Sequence, residues 1–472
     1  MLKFDPNDTI AAIATPIGEG GIGIVRISGK GAISIADKIF VTRDDRKVSD
    51  YEAYTTHYGH VVSRGNVNEG KRHNTIDEVL LTVMKAPKSY TREDVVEINC
   101  HGGIIPLKKI LELVFSLGAR PAQPGEFTRR AFLNGRIDLA QAEAVLDVIR
   151  SKTQKSLDIS ILQLEGSLSS SVAQLKDKLL NVKVQLESAV DFPEEGFTAC
   201  SSGEMKSMLD SIKVNLDSYV RSFESGKIIK EGVTCVICGK PNVGKSSLMN
   251  ELLREDRVIV SPAPGTTRDA ICECVTIDGV AFNMVDTAGI TQTSDIIEKE
   301  GVIRSRLWID RADLIIFVMD AVSGISAEDK EIIEGVKGKE VICVINKVDA
   351  NPGFAFKQDA QKLFDRPVRF TEISVLNKIN MDALRSALTD TVWNGRVSVS
   401  DHKILTNARH KDSFLKASKF VSEAIASLDQ GQTEEIVSLS INEAMAALGE
   451  ITGEVVSQEV LDRIFEQFCV GK

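Results

Sequence analysis

The sequence predicts a multidomain α/β protein in which an α/β module is inserted into a helical domain. Strand-like and helix-like apolar patterns alternate over the first 120 or so residues. Helical spacing dominates over 129–190 and 204–227, and it returns from about 408 to the end of the sequence. Apolar strands and helices alternate over about 232–394, between the helical regions. Because a module whose ends lie close together can be inserted into a loop, we interpret the helical regions as one discontinuous domain.

The predicted boundaries follow these changes of pattern. The expected segments are an N-terminal α+β domain at 1–120, a first helical part at 121–231, the inserted module at 232–394 and a second helical part at 395–472. In the N-terminal domain, strands are expected at 9–14, 23–28, 58–62, 78–84 and 94–98, and helices at 31–40 and 105–117. A glycine-rich loop at 16–21 permits either close backbone approach to a ligand or simply tight turns.

Composition limits the function classes. The chain has 472 residues, 43% of them hydrophobic, and a formal net charge of −10. This charge argues against nonspecific coating of nucleic acid, although a local basic patch stays possible. No apolar run approaches the roughly 18 residues of a membrane-spanning helix. The first residues resemble neither a signal peptide nor a transit peptide, so we expect a cytoplasmic protein without membrane contact.

The eight cysteines do not have the spacing of a four-sulfur zinc site. Cys235 and Cys238 form a C-x-x-C pattern on a predicted buried strand, where cysteine is usually small apolar filler. Cys272 and Cys274 share one face of another predicted strand. Cys469 follows an amphipathic segment, and composition alone favours an incidental cysteine there. The apolar positions of that segment are 460, 461, 464, 465 and 468.

The inserted module opens with a phosphate-binding signature. Residues 239–246 read G-x-x-x-x-G-K-S, between the apolar run 233–238 and a helical pattern at 247–253. This strand–loop–helix context directs backbone N–H groups and a helix N-terminus toward phosphate oxygens. Lys245 is expected to reach the β- and γ-phosphates, and Ser246 to ligate Mg²⁺.

Two further signatures complete the phosphate side. Thr267 lies on a polar loop at 264–269 that could close over Mg²⁺ and the γ-phosphate. The sequence D-T-A-G at 286–289 ends the apolar run 280–285. Its acidic residue suits Mg²⁺ binding through the second shell of ligands, and its glycine N–H can sense the γ-phosphate.

A fourth signature selects the base. The sequence N-K-V-D at 346–349 follows the apolar run 341–345. Asp349 can accept two hydrogen bonds from guanine N1–H and N2–H₂, a pair that adenine does not offer. Four signatures in this order predict a Ras-like P-loop GTPase module. The alternative is a P-loop domain that has lost its nucleotide.

Outside the module, individual residues are ambiguous. The segment 90–103 is richer in polar groups than a plain strand requires, and its His101 is interpreted as a structural histidine. Arg129, Arg130 and Arg136 form a basic stretch, which is usually a solvated face. Many GTPases place glutamine after D-T-A-G to orient the attacking water, but Ile290 occupies that position here, so another group must do so.

Several segments together resemble the tRNA-modification GTPase family called MnmE or TrmE. The resemblance runs nearly from end to end, which makes it specific. The resembling segments are 8–16, 20–29, 124–135, 138–144, 448–454 and 468–472.

This resemblance implies an N-terminal domain that forms a homodimer and binds 5-formyl-tetrahydrofolate or a related folate. The positions that match the family's folate contacts are Arg26, Glu97, Arg136 and Lys472; the family often has lysine where Arg136 stands, so the contact geometry can differ. The resemblance also implies a flavoprotein partner of the MnmG type, in a heterotetramer or larger assembly. Together they would add a carboxymethylaminomethyl-type group at C5 of the wobble uridine of certain tRNAs, with Cys469 important to that modification.

The resemblance further implies K⁺ in the GTP site, where it would stabilise charge as an arginine finger does. Matching positions are Asn242, Ser261, Ala263 and Thr266, and the family's water-orienting glutamate matches Glu298. Without the resemblance, Glu298 would be interpreted as a solvated helix residue. The residues predicted to contact the nucleotide are Asn242, Val243, Gly244, Lys245, Ser246, Ser247, Ser261, Pro262, Ala263, Pro264, Gly265, Thr266, Thr267, Asp286, Thr287, Ala288, Gly289, Asn346, Lys347, Asp349, Ser374, Val375 and Leu376.

One position departs from the usual pattern. The loop behind the base usually reads Ser-Ala-Lys, but here it is Ser374-Val375-Leu376, which predicts weaker nucleotide affinity. The rival hypothesis is a regulatory switch in ribosome assembly without modification chemistry. Such proteins usually carry an RNA-binding module, and no GXXG-type module is found in this sequence.

Overall fold

The computed structural model describes residues 7–63, 74–191, 201–256, 272–286, 306–393 and 403–472. The chain divides into two compact units. The first comprises Met1–Leu146, Gln163–Ala173 and Leu448–Lys472, and the second comprises Asp147–Leu162 and Gln174–Ala447. Both units contain a sheet and helices, and the four-segment division inferred from the sequence stays a prediction.

The first unit contains a seven-stranded sheet in the order β3-β4-β5-β6-β2-β1-β7. Buried side chains alternate with more accessible ones over much of β5 and β6, and the buried side of the sheet packs against two helices, α1 (Ala32–Ile39) and α2 (Ile104–Ser116). The antiparallel pairing of β2 with β6 places Arg26 opposite Glu97. The strands are β1 Ile10–Ile13, β2 Gly20–Ser28, β3 Phe40–Val41, β4 Thr55–Ser63, β5 Asn74–Met84, β6 Val95–Gly102 and β7 Arg120–Pro121.

The second strand begins earlier than predicted. β2 starts at Gly20, so part of the expected loop at 16–21 is strand. Gly20 pairs with Gly102 across the sheet, and a Cβ on Gly102 would collide with the backbone of Gly20. Part of the glycine cluster therefore permits close strand pairing at this end of β6.

The second unit contains a six-stranded sheet in the order β13-β12-β11-β8-β10-β9. Its strands are parallel except for β9, which pairs antiparallel to β10 at the edge. The continuous apolar runs are explained by burial of both faces of the sheet. The carboxyl ends of the parallel strands share one edge, where α/β sheets bind ligands. The strands are β8 Val233–Cys238, β9 Cys272–Ile277, β10 Val280–Asp286, β11 Leu314–Asp320, β12 Val341–Asn346 and β13 Arg369–Glu372.

Two long helices of the second unit, α7 (Ser202–Glu231) and α12 (Ala408–Asp429), pack together. The rings of Tyr219 and Phe414 stack with centroids 4.7 Å apart. Helix α7 begins with a capping box and ends at Gly232, which has a φ of 80°. The remaining helices are α3 Glu126–Leu133, α4 Leu139–Arg150, α5 Gln154–Leu164, α6 Ser167–Asp191, α8 Lys245–Asp256, α9 Ala327–Gly335, α10 Lys357–Gln361, α11 Met381–Trp393, α13 Glu434–Thr452 and α14 Gln458–Phe465.

The amphipathic segment before Cys469 forms α14. Its apolar residues Leu461, Ile464 and Phe465 are buried and pack with Leu139 of α4. No helix among the described residues has the length and apolar character that crossing a membrane would require.

Candidate functional site

The G-x-x-x-x-G-K-S segment forms the loop between β8 and α8. Asn242 and Gly244 have φ values of 63° and 99°, and the loop turns sharply before α8 begins at Lys245. The Lys245 Nζ atom donates to the backbone oxygens of Gly239 and Lys240, at 2.8 and 2.9 Å. Burial lowers the pKa of this ammonium group, an effect that the nearby Asp286 carboxylate opposes. The positively charged Lys245 side chain is thus held inside the curve of the loop.

The first helical turn of α8 meets the end of β10. The Ser246 hydroxyl donates to the Asp286 carboxylate at 2.8 Å. Two positions that the sequence associates with Mg²⁺, 40 residues apart in the chain, are therefore neighbours in the described structure. Ser247 follows on the exposed side of the same turn.

Asn346, at the end of β12, joins the phosphate loop to the loop that follows β13. Its buried side-chain amide donates to the Val243 backbone oxygen at 2.8 Å. Its side-chain oxygen accepts from the Val375 N–H at 3.1 Å. A Cβ on Gly244 would collide with this amide, which explains why glycine occupies the position.

Lys347 spans the same edge of the sheet. Its Nζ atom donates to the Asn242 backbone oxygen and to the Asp320 carboxylate, both at 2.8 Å. Burial disfavours ionised Asp320, but hydrogen bonds from Lys347 and the Val322 N–H outweigh burial and lower its pKa. The sequence reasoning missed Asp320, although an acidic residue ending the apolar strand β11 repeats the pattern of Asp286.

The predicted base-binding residues at this edge differ in burial. The Asp349 side chain is exposed, and Ser374 is buried with its hydroxyl accepting from the Asn377 N–H at 3.2 Å. Val375 packs partly against the core, whereas the Leu376 side chain is 86% exposed. Outside the described residues lie Ser261, Pro262, Ala263, Pro264, Gly265, Thr266, Thr267, Thr287, Ala288, Gly289 and Glu298.

Three of the four predicted folate positions, Arg26, Glu97 and Arg136, come together in the first unit around a residue that was not predicted, Tyr90. The Arg26 Nε atom donates to Glu97 at 2.7 Å, and its Nη1 atom donates to the Gly471 backbone oxygen at 3.1 Å. The guanidinium carbons of Arg26 and Arg136 lie 5.9 and 4.8 Å from the centre of the Tyr90 ring. We call the resulting group the Tyr90 cluster. Its members are Arg26, Tyr90, Glu97, Arg136 and Gly471, and the fourth predicted position, Lys472, directly follows Gly471 in the chain.

A contact with α3 holds Tyr90 in place. Its hydroxyl is 2.9 Å from the Thr128 hydroxyl, and burial raises the pKa of Tyr90. Because its partners come from positions far apart in the sequence, no local spacing could have identified this residue. Its place in the polar segment 90–103 was the available signal.

The segment 469–472 is fixed by its backbone. The Gly125 and Phe127 N–H groups donate to the oxygens of Cys469 and Lys472, at 3.3 and 3.2 Å. Gly471 has a φ of 98°, and an added Cβ would collide with the backbone oxygen of Ile13. The Cys469 side chain is exposed. The structure therefore places the thiol on the segment that Arg26 contacts.

The interpretation of the basic stretch as a solvated face was wrong for two of its three arginines; Arg136 is exposed. Arg129 and Arg130 are buried rather than solvated, because acidic partners surround them. Arg130 pairs with Glu93 and Glu126, each at 3.0 Å. His101, interpreted as a structural histidine, is exposed, and its Nδ1 atom lies 2.7 Å from the Asp77 carboxylate.

The C-x-x-C pattern is structural. Cys235 and Cys238 are buried in core clusters on opposite faces of the second sheet. Burial raises the pKa of both thiols, that of Cys238 to about 12. The described residues contain no group of three or more histidine, cysteine or acidic side chains arranged to hold a metal ion.

Comparisons with known proteins give a consistent set of matches. A family model described as GTP-binding protein TrmE N-terminus matches residues 9–136, and one described as MnmE helical domain matches residues 139–469. The tRNA modification GTPase MnmE of Alkaliphilus oremlandii (strain OhILAs) is 44% identical over 466 residues, 99% of each chain. That of Clostridioides difficile (strain 630) is 44% identical over 472 residues, again 99% of each. Among solved structures, a variant of Aquifex aeolicus Era bound to GDP·AlF4⁻ is 29% identical over 40% of this chain and 66% of its own, with a TM-score of 0.29.

Proposed function

The chain belongs to the MnmE family of tRNA modification GTPases, and on that premise we propose a K⁺-stimulated GTP hydrolase that modifies the wobble uridine of certain tRNAs. It would act with a flavoprotein partner of the MnmG type and a tetrahydrofolate one-carbon donor. The product is a carboxymethylaminomethyl-type group at C5 of the uridine. Homodimer formation, a cytoplasmic location and the four-segment domain division belong to the same proposal.

One observation supports the GTP site most directly. Hydrogen bonds link the phosphate loop and the start of α8 to residues at the carboxyl ends of two strands, β10 and β12: Ser246 to Asp286, Val243 to Asn346 and Asn242 to Lys347. These bonds fix the loop before any substrate enters, so less ordering is required on binding. The N–H groups of the loop and Lys245 then face the β- and γ-phosphates, where negative charge develops during hydrolysis.

The residues present fit Mg²⁺. Mg²⁺ prefers oxygen ligands, and the Ser246 hydroxyl and Asp286 carboxylate offer them 2.8 Å apart. Ser246 and Thr267 would hold the ion, with Asp286 behind them. When bound, Mg²⁺ neutralises charge on the β- and γ-phosphate oxygens.

K⁺ would lie beside the phosphate loop. Asn242 has an exposed side chain on a backbone turned by its positive φ, so its amide oxygen is available as a hard ligand. Ser261, Ala263 and Thr266 would complete the set. When bound, K⁺ supplies positive charge as an arginine finger does, and Glu298 would orient the attacking water.

The Tyr90 cluster fits a folate. Cations for carboxylates, an aromatic ring for stacking and the Glu97 carboxylate for ring N–H groups all lie within one group. The contact from Arg26 to Gly471 brings the segment with Cys469 to this group. A one-carbon donor and a thiol would then share one site, as the proposed modification requires.

The potassium proposal is tested by GTP turnover in KCl and in NaCl at equal ionic strength. We expect fast hydrolysis in KCl and slow hydrolysis in NaCl, because the smaller Na⁺ ion does not suit a site sized for K⁺. Equal rates would contradict the proposal. If the purified chain neither binds nor hydrolyses GTP in potassium buffer, the proposed GTP site itself is wrong.

The role of Glu298 is tested by Glu298→Ala. We expect GTP affinity to be kept and hydrolysis to fall about a hundredfold or more, as when a water-orienting group is lost. Glu328→Ala is the matched control, since Glu328 is an exposed glutamate of α9. Lost GTP binding in Glu298→Ala would mean that the residue is misassigned.

The modification is tested by mass spectrometry of tRNA nucleosides from a strain that lacks this chain. We expect the modified wobble uridine to disappear and to return with the wild-type chain, but not with Cys469→Ser. Unchanged nucleosides in the deletion strain would mean that the chain is a GTPase with a function other than this modification.

A further inference from the structure

A second ligand-sized feature of the first unit adjoins the Tyr90 cluster. It is a cavity of about 470 Å³, large enough for part of a small molecule. We call it the Tyr54 cavity. The residues that line it are Tyr54, Met84, Pro87, Lys88, Ser89, Tyr90, Arg92 and Arg136.

The lining of the Tyr54 cavity is cationic. It includes Lys88, Arg92 and Arg136, all exposed, and no acidic side chain. The Arg92 and Arg136 Nη1 atoms donate to the backbone oxygens of Asn134 and Tyr90, at 2.9 and 3.3 Å. In the part of the chain that the structure describes, none of the three cations forms an ion pair. Their positive charge is therefore available to an anion.

The backbone around the cavity is strained. Tyr54 and Arg92 have φ values of 64° and 59°, which bulky L residues rarely adopt. Such conformations persist where the surrounding structure enforces them, and they cluster at ligand sites. The Asn134 side-chain amide donates to the Thr91 backbone oxygen at 2.6 Å, and so helps to hold the Arg92 segment in this conformation.

Tyr90 and Arg136 belong both to the cavity and to the Tyr90 cluster. Arg136 lies over the Tyr90 ring at 4.8 Å, and Arg26 approaches the same ring at 5.9 Å. A ligand bound to the cluster could therefore extend past Arg136 toward Lys88 and Arg92. The part that enters the cavity would have to be anionic.

We infer that the Tyr54 cavity binds the anionic glutamate tail of the folate, so that the site prefers a donor with several γ-linked glutamates. This inference rests on the proposed function, because it extends the folate site. Each added glutamate brings one more carboxylate, and carboxylates pair well with guanidinium and ammonium groups. Lys88 and Arg92 would then determine specificity for tail length.

The test measures dissociation constants of 5-formyl-tetrahydrofolate carrying one or four glutamates. For the wild-type chain we expect the tetraglutamate to bind about tenfold tighter, since exposed ion pairs contribute modestly each. The ratio should approach one in Lys88→Ala and Arg92→Ala. It should be kept in Arg92→Lys and in Lys109→Ala, where an exposed lysine of α2 is removed outside the cavity lining. Added KCl should shrink the wild-type ratio by screening.

The other outcomes are distinguishable. A wild-type chain that binds the monoglutamate but shows no dependence on tail length overturns this inference and leaves the folate proposal intact. A chain that binds neither folate overturns the folate proposal itself. If Lys88→Ala and Arg92→Ala weaken tRNA binding and keep the folate ratio, the occupant is RNA phosphate, and the inference is wrong.

Discussion

The nucleotide pocket of the second unit and the Tyr90 cluster of the first unit are assembled from the chain in different ways. The described part of the pocket uses short motifs placed directly at or after the ends of the buried parallel strands β8, β10 and β12, so that the sheet brings their backbones to one edge. The cluster uses single side chains from β2, β6 and the loops after β5 and α3, together with the Gly471 backbone oxygen. Its members meet only after the whole first unit has folded.

The difference has a physical consequence. Backbone N–H groups in a short loop keep their arrangement through local φ values and a few hydrogen bonds, as those of Asn242 and Gly244 do. The Tyr90 cluster depends on buried charges that hold α3 and its neighbours together. Arg120 and Arg130 converge on Glu126, with nitrogen–oxygen distances of 2.7 and 3.0 Å. We therefore expect the two sites to respond separately to substitution.

The largest effect is expected for Lys245→Ala. Loss of the ammonium group inside the phosphate loop should reduce GTP hydrolysis about a thousandfold, or about 4 kcal/mol of transition-state stabilisation. Folate binding should be unchanged if the two sites are independent. Steady-state GTP turnover and folate titration measure both.

Lys240→Ala is the control for that substitution. Lys240 belongs to the same loop, but its Nζ atom contacts Gly324 and Asp329 instead of the loop interior. We expect it to lower thermal stability and to keep turnover per folded molecule. Equal loss of turnover in both variants would show that the loop, and not Lys245, is what matters.

The next largest effect is expected for Glu126→Gln. The wild-type carboxylate is buried and accepts from Arg120, Arg130 and the Gln123 N–H. Removing its charge leaves two cations short of a partner and should destabilise the first unit by about 3 kcal/mol. Glu112→Gln removes an exposed ion pair with Lys108 and should cost less than about 0.5 kcal/mol.

The pH dependence of the unfolding free energy gives a second measurement of the contribution of Glu126. Burial opposes ionised Glu126, but hydrogen bonds from Arg120 and Gln123 outweigh it and hold the pKa below the usual value of 4.5. A lowered pKa in the folded state contributes stability above the unfolded pKa and loses it as pH falls through the folded pKa. The difference in unfolding free energy between wild type and Glu126→Gln should thus be full near pH 7 and shrink below about pH 4. If this difference in unfolding free energy stays constant with pH, the charge of Glu126 does not contribute to stability.

The contrast between the two sites explains which of their features could be predicted from the sequence. Strand periodicity and motif order predicted the second sheet and brought Lys245, Ser246, Asp286 and Asn346 to one edge, because parallel strands align their carboxyl ends. Arg129 and Arg130 of α3 were misread as a solvated face because acidic partners lie far away in the sequence: Glu93 is 37 residues from Arg130, and Arg129 pairs with Asp462. Tyr90 was overlooked for the same reason. Periodicity reports burial along one element, whereas side-chain pairing between elements depends on the tertiary fold.

A smaller effect is expected for Gly471→Ala. The positive φ and the collision with the Ile13 oxygen should cost about 2 kcal/mol, enough to detach the segment that carries Cys469. Folate affinity and tRNA modification should fall about tenfold or more, while GTP hydrolysis is kept. Gly118→Ala shares a positive φ, 110°, but has open space for a Cβ, and it should affect modification little. Loss of GTP hydrolysis in Gly471→Ala would contradict the separation of the two sites.

The smallest effect is expected for Leu376→Lys, which restores the basic residue usual in the loop behind the base. Leu376 is 86% exposed, so a lysine can be accommodated without repacking the core. Its stem could cover the guanine face, and we expect GDP affinity to rise about two- to threefold, or about 0.5 kcal/mol, in titration calorimetry. Leu439→Lys, at a 60% exposed leucine of α13, adds the same charge outside the loop. If both variants gain equally, the gain comes from net charge alone; if Leu376→Lys gains nothing, the departure from Ser-Ala-Lys does not weaken nucleotide binding.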